Sequence, residues 1–188
     1  STRKDKFSKK DKKYMSLALS LASARHGLTG ENPSVGCVIV KNDEIISIGQ
    51  TGYNGRPHAE FNAIKNASEV LEGSKMYVTL EPCNHYGQTP PCTKIIIKNK
   101  ISKVFYSIND VDKKVKGKSL KILKSKSVII KKGLLSKDMI NFYKPYFFNR
   151  KNKIPYVTGK IAVSKNNLIF SKGTKRITDI HSDKLTHF

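Results

Sequence analysis

The sequence predicts an α/β domain in which a mixed or parallel sheet carries helices on both faces. Three observations lead there. Between residues 11 and 148 the apolar positions switch repeatedly between helical spacing and strand-like runs, the order that builds βαβ units. With 188 residues, 38% of them apolar, the chain can bury one substantial core and begin a second unit. The residues with metal-binding chemistry fall at predicted helix starts and at a predicted strand end, the edge where open α/β sheets hold ligands.

The elements follow in order. A first helix is expected over residues 11–26, where Met15, Ala18, Leu19 and Ala22 share a face, Asp11 offers a cap and Gly27 stands beyond the end. Two β-rich runs, 35–40 and 44–49, are joined by Lys41-Asn42-Asp43 and read as a hairpin. Cys37 lies inside the first run and reads as a small buried hydrophobe. A helix is expected over 58–71 from the spacing of Phe61, Ile64, Ala67, Val70 and Leu71, with His58 and Glu60 in its first turn and Gly73 past its end. The run 75–80 is a strand leading into Glu81-Pro82-Cys83, and Pro90-Pro91 opens a helix over 92–99. Alternation continues with a strand at 103–108, a short helix at 117–124, a strand at 127–131 and a helix over 136–148 interrupted near Pro145. The first domain is expected to span 1–148. The remainder, 149–188, divides into a polar linker at 149–153 and a fragment opening on a strand at 155–163.

Composition narrows the function classes. No run reaches the roughly 18 apolar residues of a membrane helix, and the Lys-rich N-terminus is followed by nothing that resembles a signal peptide. Three cysteines, two of them in a metal-like pattern, argue against a disulfide framework and for a reducing, cytoplasmic setting. A net charge of +22 invites a nucleic-acid reading, but only five of the 36 basic side chains are Arg, the residue that reads phosphates and bases with a planar fork. The charge reads as a solvated Lys-biased surface, whose field would still draw in a small phosphorylated substrate.

The chemistry is concentrated between His58 and Cys92. His58-Ala59-Glu60 and Glu81-Pro82-Cys83 through Pro91-Cys92 supply two thiols, two imidazoles and two carboxylates. Zinc takes nitrogen and thiolate ligands in tetrahedral array, and a catalytic zinc leaves one position open. His58, Cys83 and Cys92 fit that set, with Cys92 at a helix start that favours its thiolate and Glu60 placed to shuttle protons. This is the pattern of nucleobase deaminases, in which zinc-activated water attacks an amino-bearing ring carbon. His85 could instead complete a closed structural Cys2His2 site, but such a site has no use for Glu60. Eight residues separate the two cysteines, where the general deaminase signature has two.

That long-spaced run, Thr79-Leu80-Glu81-Pro82-Cys83-Asn84-His85-Tyr86-Gly87-Gln88-Thr89-Pro90-Pro91-Cys92, with His58-Ala59-Glu60 and Asn32-Pro33-Ser34-Val35-Gly36, resembles the deaminase half of the bifunctional riboflavin-biosynthesis deaminase/reductase family. The resemblance covers roughly residues 14–148. It implies a three-layer α/β/α cytidine-deaminase-like fold with a mixed central sheet, and hydrolytic deamination of a diaminohydroxy-phosphoribosylamino-pyrimidine to the pyrimidinedione. It implies one zinc ion on His58, Cys83 and Cys92, Glu60 as proton shuttle, and Asn32 and His85 as substrate contacts. Gln88 and Thr51 depart from the family's usual basic residue and His, and Asp110-Val111-Asp112-Lys113 departs from Asp-Pro-Asn-Pro, so Lys113, Lys114 or Lys116 could stand in toward the phosphate. Residues 154–164 resemble the opening of the family's reductase domain, after which Asn166-Asn167 and Arg176 break the pattern. NADPH is implied only with a complete reductase domain, and this chain alone is not expected to reduce a substrate. The expected partner is a small phosphorylated pyrimidine, with no membrane, nucleic acid disfavoured and a homo-oligomer open. The rival readings are a deaminase of tRNA adenosine or of cytidine, and a zinc-stabilised nucleic-acid-binding module without catalysis.

Overall fold

The computed structural model describes residues 6–87, 89–112 and 115–169. The elements run α1 (Lys9–Ser23), β1 (Gly36–Lys41), β2 (Glu44–Gln50), α2 (Ala59–Lys65), β3 (Lys75–Leu80), α3 (Cys92–Lys98), β4 (Lys103–Ile108), α4 (Lys118–Ser125), β5 (Ile129–Lys132), α5 (Ser136–Phe142) and α6 (Lys144–Asn152). Five strands form one sheet in the order β2-β1-β3-β4-β5. The pairs β1/β2 and β1/β3 are antiparallel, whereas β3/β4 and β4/β5 are parallel. The sheet is therefore mixed, as the sequence pattern predicts.

Two glycines show how helices cover both faces. Successive strand residues point to opposite faces and paired residues to the same face. A Cβ on Gly36 would stand 1.8 Å from the Ala18 carbonyl oxygen, so α1 lies directly on that face. Its neighbour Cys37 points the other way and pairs with Gly49, where a Cβ would stand 2.3 Å from Ala59 O and Ala63 N of α2. Small residues on strand and helix thus bring α1 and α2 against the sheet from opposite sides. Cys37 is wholly buried between them, as expected for a packing residue.

The helix ends differ from the sequence expectation in instructive ways. The cap of α1 is Ser8: its Oγ accepts from the Asp11 amide at 3.0 Å while Asp11 Oδ2 accepts from the Ser8 amide at 2.9 Å. Asp11, the expected cap, is thus the third helical residue of a capping box whose cap is Ser8. The second helix stops at Lys65 instead of continuing to 71. Asn66 and Ser68 compete with the backbone for hydrogen bonds; Leu71 enters the core from a turn, and Val70 is 72% exposed. The expected helix over 136–148 is two helices that meet at Tyr143, with Pro145 in the first turn of the second, where its missing N–H costs nothing.

Residues 149–152, expected as linker, belong to α6. By internal contacts the chain divides into residues 1–154 and 155–188. Within the second unit the described residues 155–169 form no strand, contrary to the expectation for 155–163. An apolar run becomes a strand only when a neighbour takes its N–H and C=O groups, and within 155–169 the described bonds are local, between Ser164, Asn167 and Leu168.

The core holds Met15, Ile39, Met76, Ile96 and Leu123 on the sheet's two faces, with Tyr77 stacked on Phe105 at 4.4 Å between ring centroids. One buried polar chain crosses it. The Tyr143 hydroxyl donates to Ser34 O at 2.8 Å and accepts from Thr79 Oγ1 at 2.6 Å, while Thr79 Oγ1 accepts from the Gly36 amide at 3.2 Å. It ties the segment before β1 to the end of β3.

Candidate active site

The carboxyl ends of β3 and β4 lie at one edge of the sheet. Because β1 runs against β3, its start is at that edge, and so is the end of β2. Four segments therefore meet there: residues 32–35, 51–60, 80–85 and 109–112. They and Tyr146 and Arg150 of α6 line one cavity that contains Asn32, Thr51, Arg56, His58, Glu60, Glu81, Cys83, His85 and Asp110.

His58 is the N-cap residue of α2, immediately before its first turn, and Glu60 is the second helical residue. Cys92 is the first residue of α3, whose N-cap is Pro91. Cys83 stands three residues past β3 and is fixed from both sides: its carbonyl accepts from the Thr93 amide at 3.0 Å and its Sγ from the Cys92 amide at 3.2 Å. Behind it, Glu81 accepts from the amides of Gly117 at 3.0 Å and Ser119 at 3.3 Å, and the Ser119 hydroxyl donates to Pro82 O. The start of α4 thus holds the Glu81-Pro82-Cys83 turn in place.

One atom from each of His58, Cys83 and Cys92 lies within 4.8 Å of the others. His58 Nδ1 is 3.3 Å from Cys92 Sγ and 3.5 Å from Cys83 Sγ. Ligands around one tetrahedral zinc, with bonds of about 2.3 Å to sulfur and about 2.0 Å to nitrogen, stand about 3.5 Å apart for a nitrogen–sulfur pair. The spacing and the donor set fit zinc with three protein ligands.

The protonation of the group follows from its contacts. The hydrogen bond from Cys92 holds the Cys83 thiol down to about 4 against the opposing effect of burial, with His58 adding to the same pull. Cys92, which keeps the proton of that bond and is deeply buried, is pushed well up. His58 is raised chiefly by its bond to Cys83, with burial opposing. Glu60 is 4% exposed and is raised by burial first; the neighbouring His58 pulls it down and the Cys83 charge pushes it up.

Other expected residues are placed as follows. Asn32 is on the cavity wall, packed so closely on Gly55 that a Cβ there would stand 2.2 Å from Asn32 Nδ2, and Gly55 has φ +87°. His85 lines the cavity, and its Nδ1 is buried with no hydrogen-bond partner among the described residues. Thr51 serves the backbone, its Oγ1 accepting from the Val35 amide at 2.9 Å. Gln88, Lys113 and Lys114 lie outside the described residues, and Lys116 lines a neighbouring basic hollow with Lys151 and Lys153. Arg56, Tyr146 and Arg150 were absent from the expected site. In the sequence the scarcity of Arg counts only against a nucleic-acid partner and singles out neither arginine.

Residues 8–108 match the family model for the cytidine and deoxycytidylate deaminase zinc-binding region. The chain is 42% identical over 146 residues to the diaminohydroxyphosphoribosylamino-pyrimidine deaminase of Buchnera aphidicola subsp. Schizaphis graminum, covering 78% of this chain and 99% of that one. It is 37% identical over 179 residues to the riboflavin biosynthesis protein RibD of Aquifex aeolicus, covering 94% of this chain and 50% of that protein. Among solved structures, the diaminohydroxyphosphoribosylaminopyrimidine deaminase/5-amino-6-(5-phosphoribosylamino)uracil reductase of Thermotoga maritima superposes with a TM-score of 0.84 at 32% identity, over 94% of this chain and 52% of that one. The chain therefore spans about half the length of its RibD relatives and nearly all of the Buchnera deaminase.

Proposed function

The chain belongs to the cytidine and deoxycytidylate deaminase family, and from that premise we propose that it is a zinc-dependent hydrolase acting on diaminohydroxy-phosphoribosylamino-pyrimidine. The products are the amino-phosphoribosylamino-pyrimidinedione and ammonia, in riboflavin biosynthesis. The observation that carries this reading is the buried Glu60 beside a three-ligand donor set at the floor of an open cavity, an arrangement that a closed structural site does not need.

In this reading His58, Cys83 and Cys92 hold the metal. Zinc bound there supplies the Lewis acidity that makes a water nucleophilic near neutral pH. Glu60 would take one proton from that water and deliver it to the ring nitrogen beside the amino-bearing carbon, then take the second from the hydroxyl left on that carbon and pass it to the departing amine. One C–O bond forms, one C–N bond breaks, and the carboxylate ends as it began. Burial raises the proton affinity of Glu60, which suits a group that both accepts and returns a proton. His85 offers the pyrimidine an unpaired ring nitrogen, and Asn32 of the same cavity offers a donor and an acceptor. A cytoplasmic, reducing setting suits a site that needs both cysteines as thiolates.

The test is ammonia release from zinc-loaded protein with three substrates: the phosphoribosylamino-pyrimidine, cytidine and a tRNA anticodon stem. Release from the first alone is expected. Release from either of the others, and none from the first, would overturn the assignment.

A further inference from the structure

Only five of the chain's 36 Lys and Arg residues are Arg, yet among the described residues the cavity at the active site is lined by two Arg and no Lys. A surface that merely carries positive charge would show the reverse. Arg56 reaches from the loop before α2 to the loop between the two cysteines, where its Nη1 donates to Thr89 Oγ1 at 2.7 Å. Its Nη2 packs so closely on Gly87 that a Cβ there would stand 3.0 Å away. Arg150 of α6 is anchored by Nη2 donating to Glu31 O at 2.9 Å, while its Nε is buried with no hydrogen-bond partner among the described residues.

Contacts join the two along one rim. Arg150 holds the carbonyl of Glu31; the next residue, Asn32, packs on Gly55; and the residue after Gly55 is Arg56. Both arginines line the cavity that Asn32 also lines. Two carboxylates of the cavity wall are engaged by other groups: Glu81 accepts from the amides of Gly117 and Ser119, and Asp110 from the Asp112 amide and the Tyr146 hydroxyl. An anchored guanidinium with unused donors is matched to a planar or tetrahedral oxyanion rather than to a neutral ring.

We propose that Arg56 and Arg150 read the substrate's phosphate, donating to a phosphomonoester while the base lies toward Glu60. This rests on the deaminase reading for the base, but the phosphate grip can be measured by itself. Ribose 5-phosphate is titrated calorimetrically into the zinc-loaded full chain and into Arg56→Gln, Arg150→Gln and Lys65→Ala, and kcat/KM is measured on the pyrimidine with and without its phosphate. Each Arg→Gln change weakens ribose 5-phosphate by about 10- to 100-fold, the range of a charged hydrogen bond, and lowers kcat/KM on the phosphorylated pyrimidine alike. Turnover of the dephosphorylated pyrimidine is unchanged. Lys65→Ala removes one exposed charge outside the cavity and changes neither. Equal losses on both pyrimidines, unchanged sugar-phosphate affinity, or an equal effect of Lys65→Ala would overturn the proposal. If Arg150→Gln lost its fold with the Glu31 contact, Arg150→Lys keeps a donor for that carbonyl and gives the same comparison. A wild-type chain that binds ribose 5-phosphate through these arginines and releases no ammonia would sink the deaminase reading and leave the phosphate site standing.

Discussion

Replacing Glu60 by Gln keeps the shape of the side chain and removes its capacity to carry a proton. General acid–base catalysis contributes about 10²- to 10⁴-fold, which is about 2.7 to 5.4 kcal/mol of barrier at about 1.36 kcal/mol per decade. Glu60 handles more than one proton transfer in the proposed reaction, so Glu60→Gln is expected toward the upper end. Stability should move the other way or not at all. Glu60 is raised chiefly by burial, so the folded protein disfavours its ionised form. A carboxyl raised on folding lends most stability below its unfolded value and loses it as pH climbs through the folded value. At neutral pH wild type therefore carries a cost that Gln does not, and chelator-treated Glu60→Gln should melt at or above chelator-treated wild type. The assay is threefold: ammonia release, zinc per chain by elemental analysis, and the thermal midpoint by circular dichroism. Turnover within about tenfold of wild type would refute the proton-shuttle role, since that is below the smallest expected contribution. Loss of zinc with turnover would instead make Glu60 part of the metal shell.

Other perturbations probe the frame around that residue. Cys92→Ser replaces a thiolate with a hydroxyl that zinc binds poorly, so zinc content measured after dialysis should fall well below one per chain and ammonia release with it. Gly49→Ala forces a Cβ to within 2.3 Å of Ala59 O and Ala63 N; overpacking of this kind costs about 1–3 kcal/mol or more. Because the displaced helix carries His58 and Glu60, the denaturant midpoint and zinc affinity should drop together, and a loss of stability with full zinc affinity would show that the sheet absorbs the strain. Asp11 is lowered from its ordinary 3.8 although burial alone would raise it, because the Tyr77 hydroxyl and the amide and hydroxyl of Ser8 bond to the carboxylate. A depressed carboxyl lends stability above its unfolded value and loses it as pH falls through the folded one. Asp11→Asn should therefore melt below wild type at pH 7 and draw level as the pH falls through the folded value of Asp11; a gap that stays constant with pH would exclude the linkage.

What the sequence made legible was the chemistry with fixed spacing. His58, Glu60, Cys83 and Cys92 could be named because zinc constrains residue type, and because helix starts and a strand end place them at one edge. Strands β3 and β4 were legible to the residue, since a buried parallel strand is a continuous apolar run with sharp ends. Helix ends were less so: Ser8 lies outside the apolar period of α1, and the stripe that suggested a longer α2 counted Leu71, which reaches the core from a turn. The cavity wall was least legible. Arg150 comes from a helix nearly a hundred residues after His58, and only the packing of α6 brings it beside Asn32. No local pattern records such a meeting.

The charge of the chain and the charge of its cavity do different work. A net charge of +22, carried mostly by Lys on the outside, raises the local concentration of any small anion and quickens its arrival. It cannot choose among anions, because exposed ammonium groups are hydrated and screened over about 10 Å at ordinary ionic strength. Choice requires donors whose positions are fixed before the ligand arrives. The Thr89 contact on Arg56 and the Glu31 contact on Arg150 provide that fixing, and His85 and Asn32 line the same cavity. A substrate with phosphate at one end and an aminopyrimidine at the other meets both sets only in one orientation, which sets its amino-bearing carbon toward Glu60. A base without phosphate leaves those guanidinium donors without a partner, which is why its turnover is indifferent to the two Arg→Gln changes.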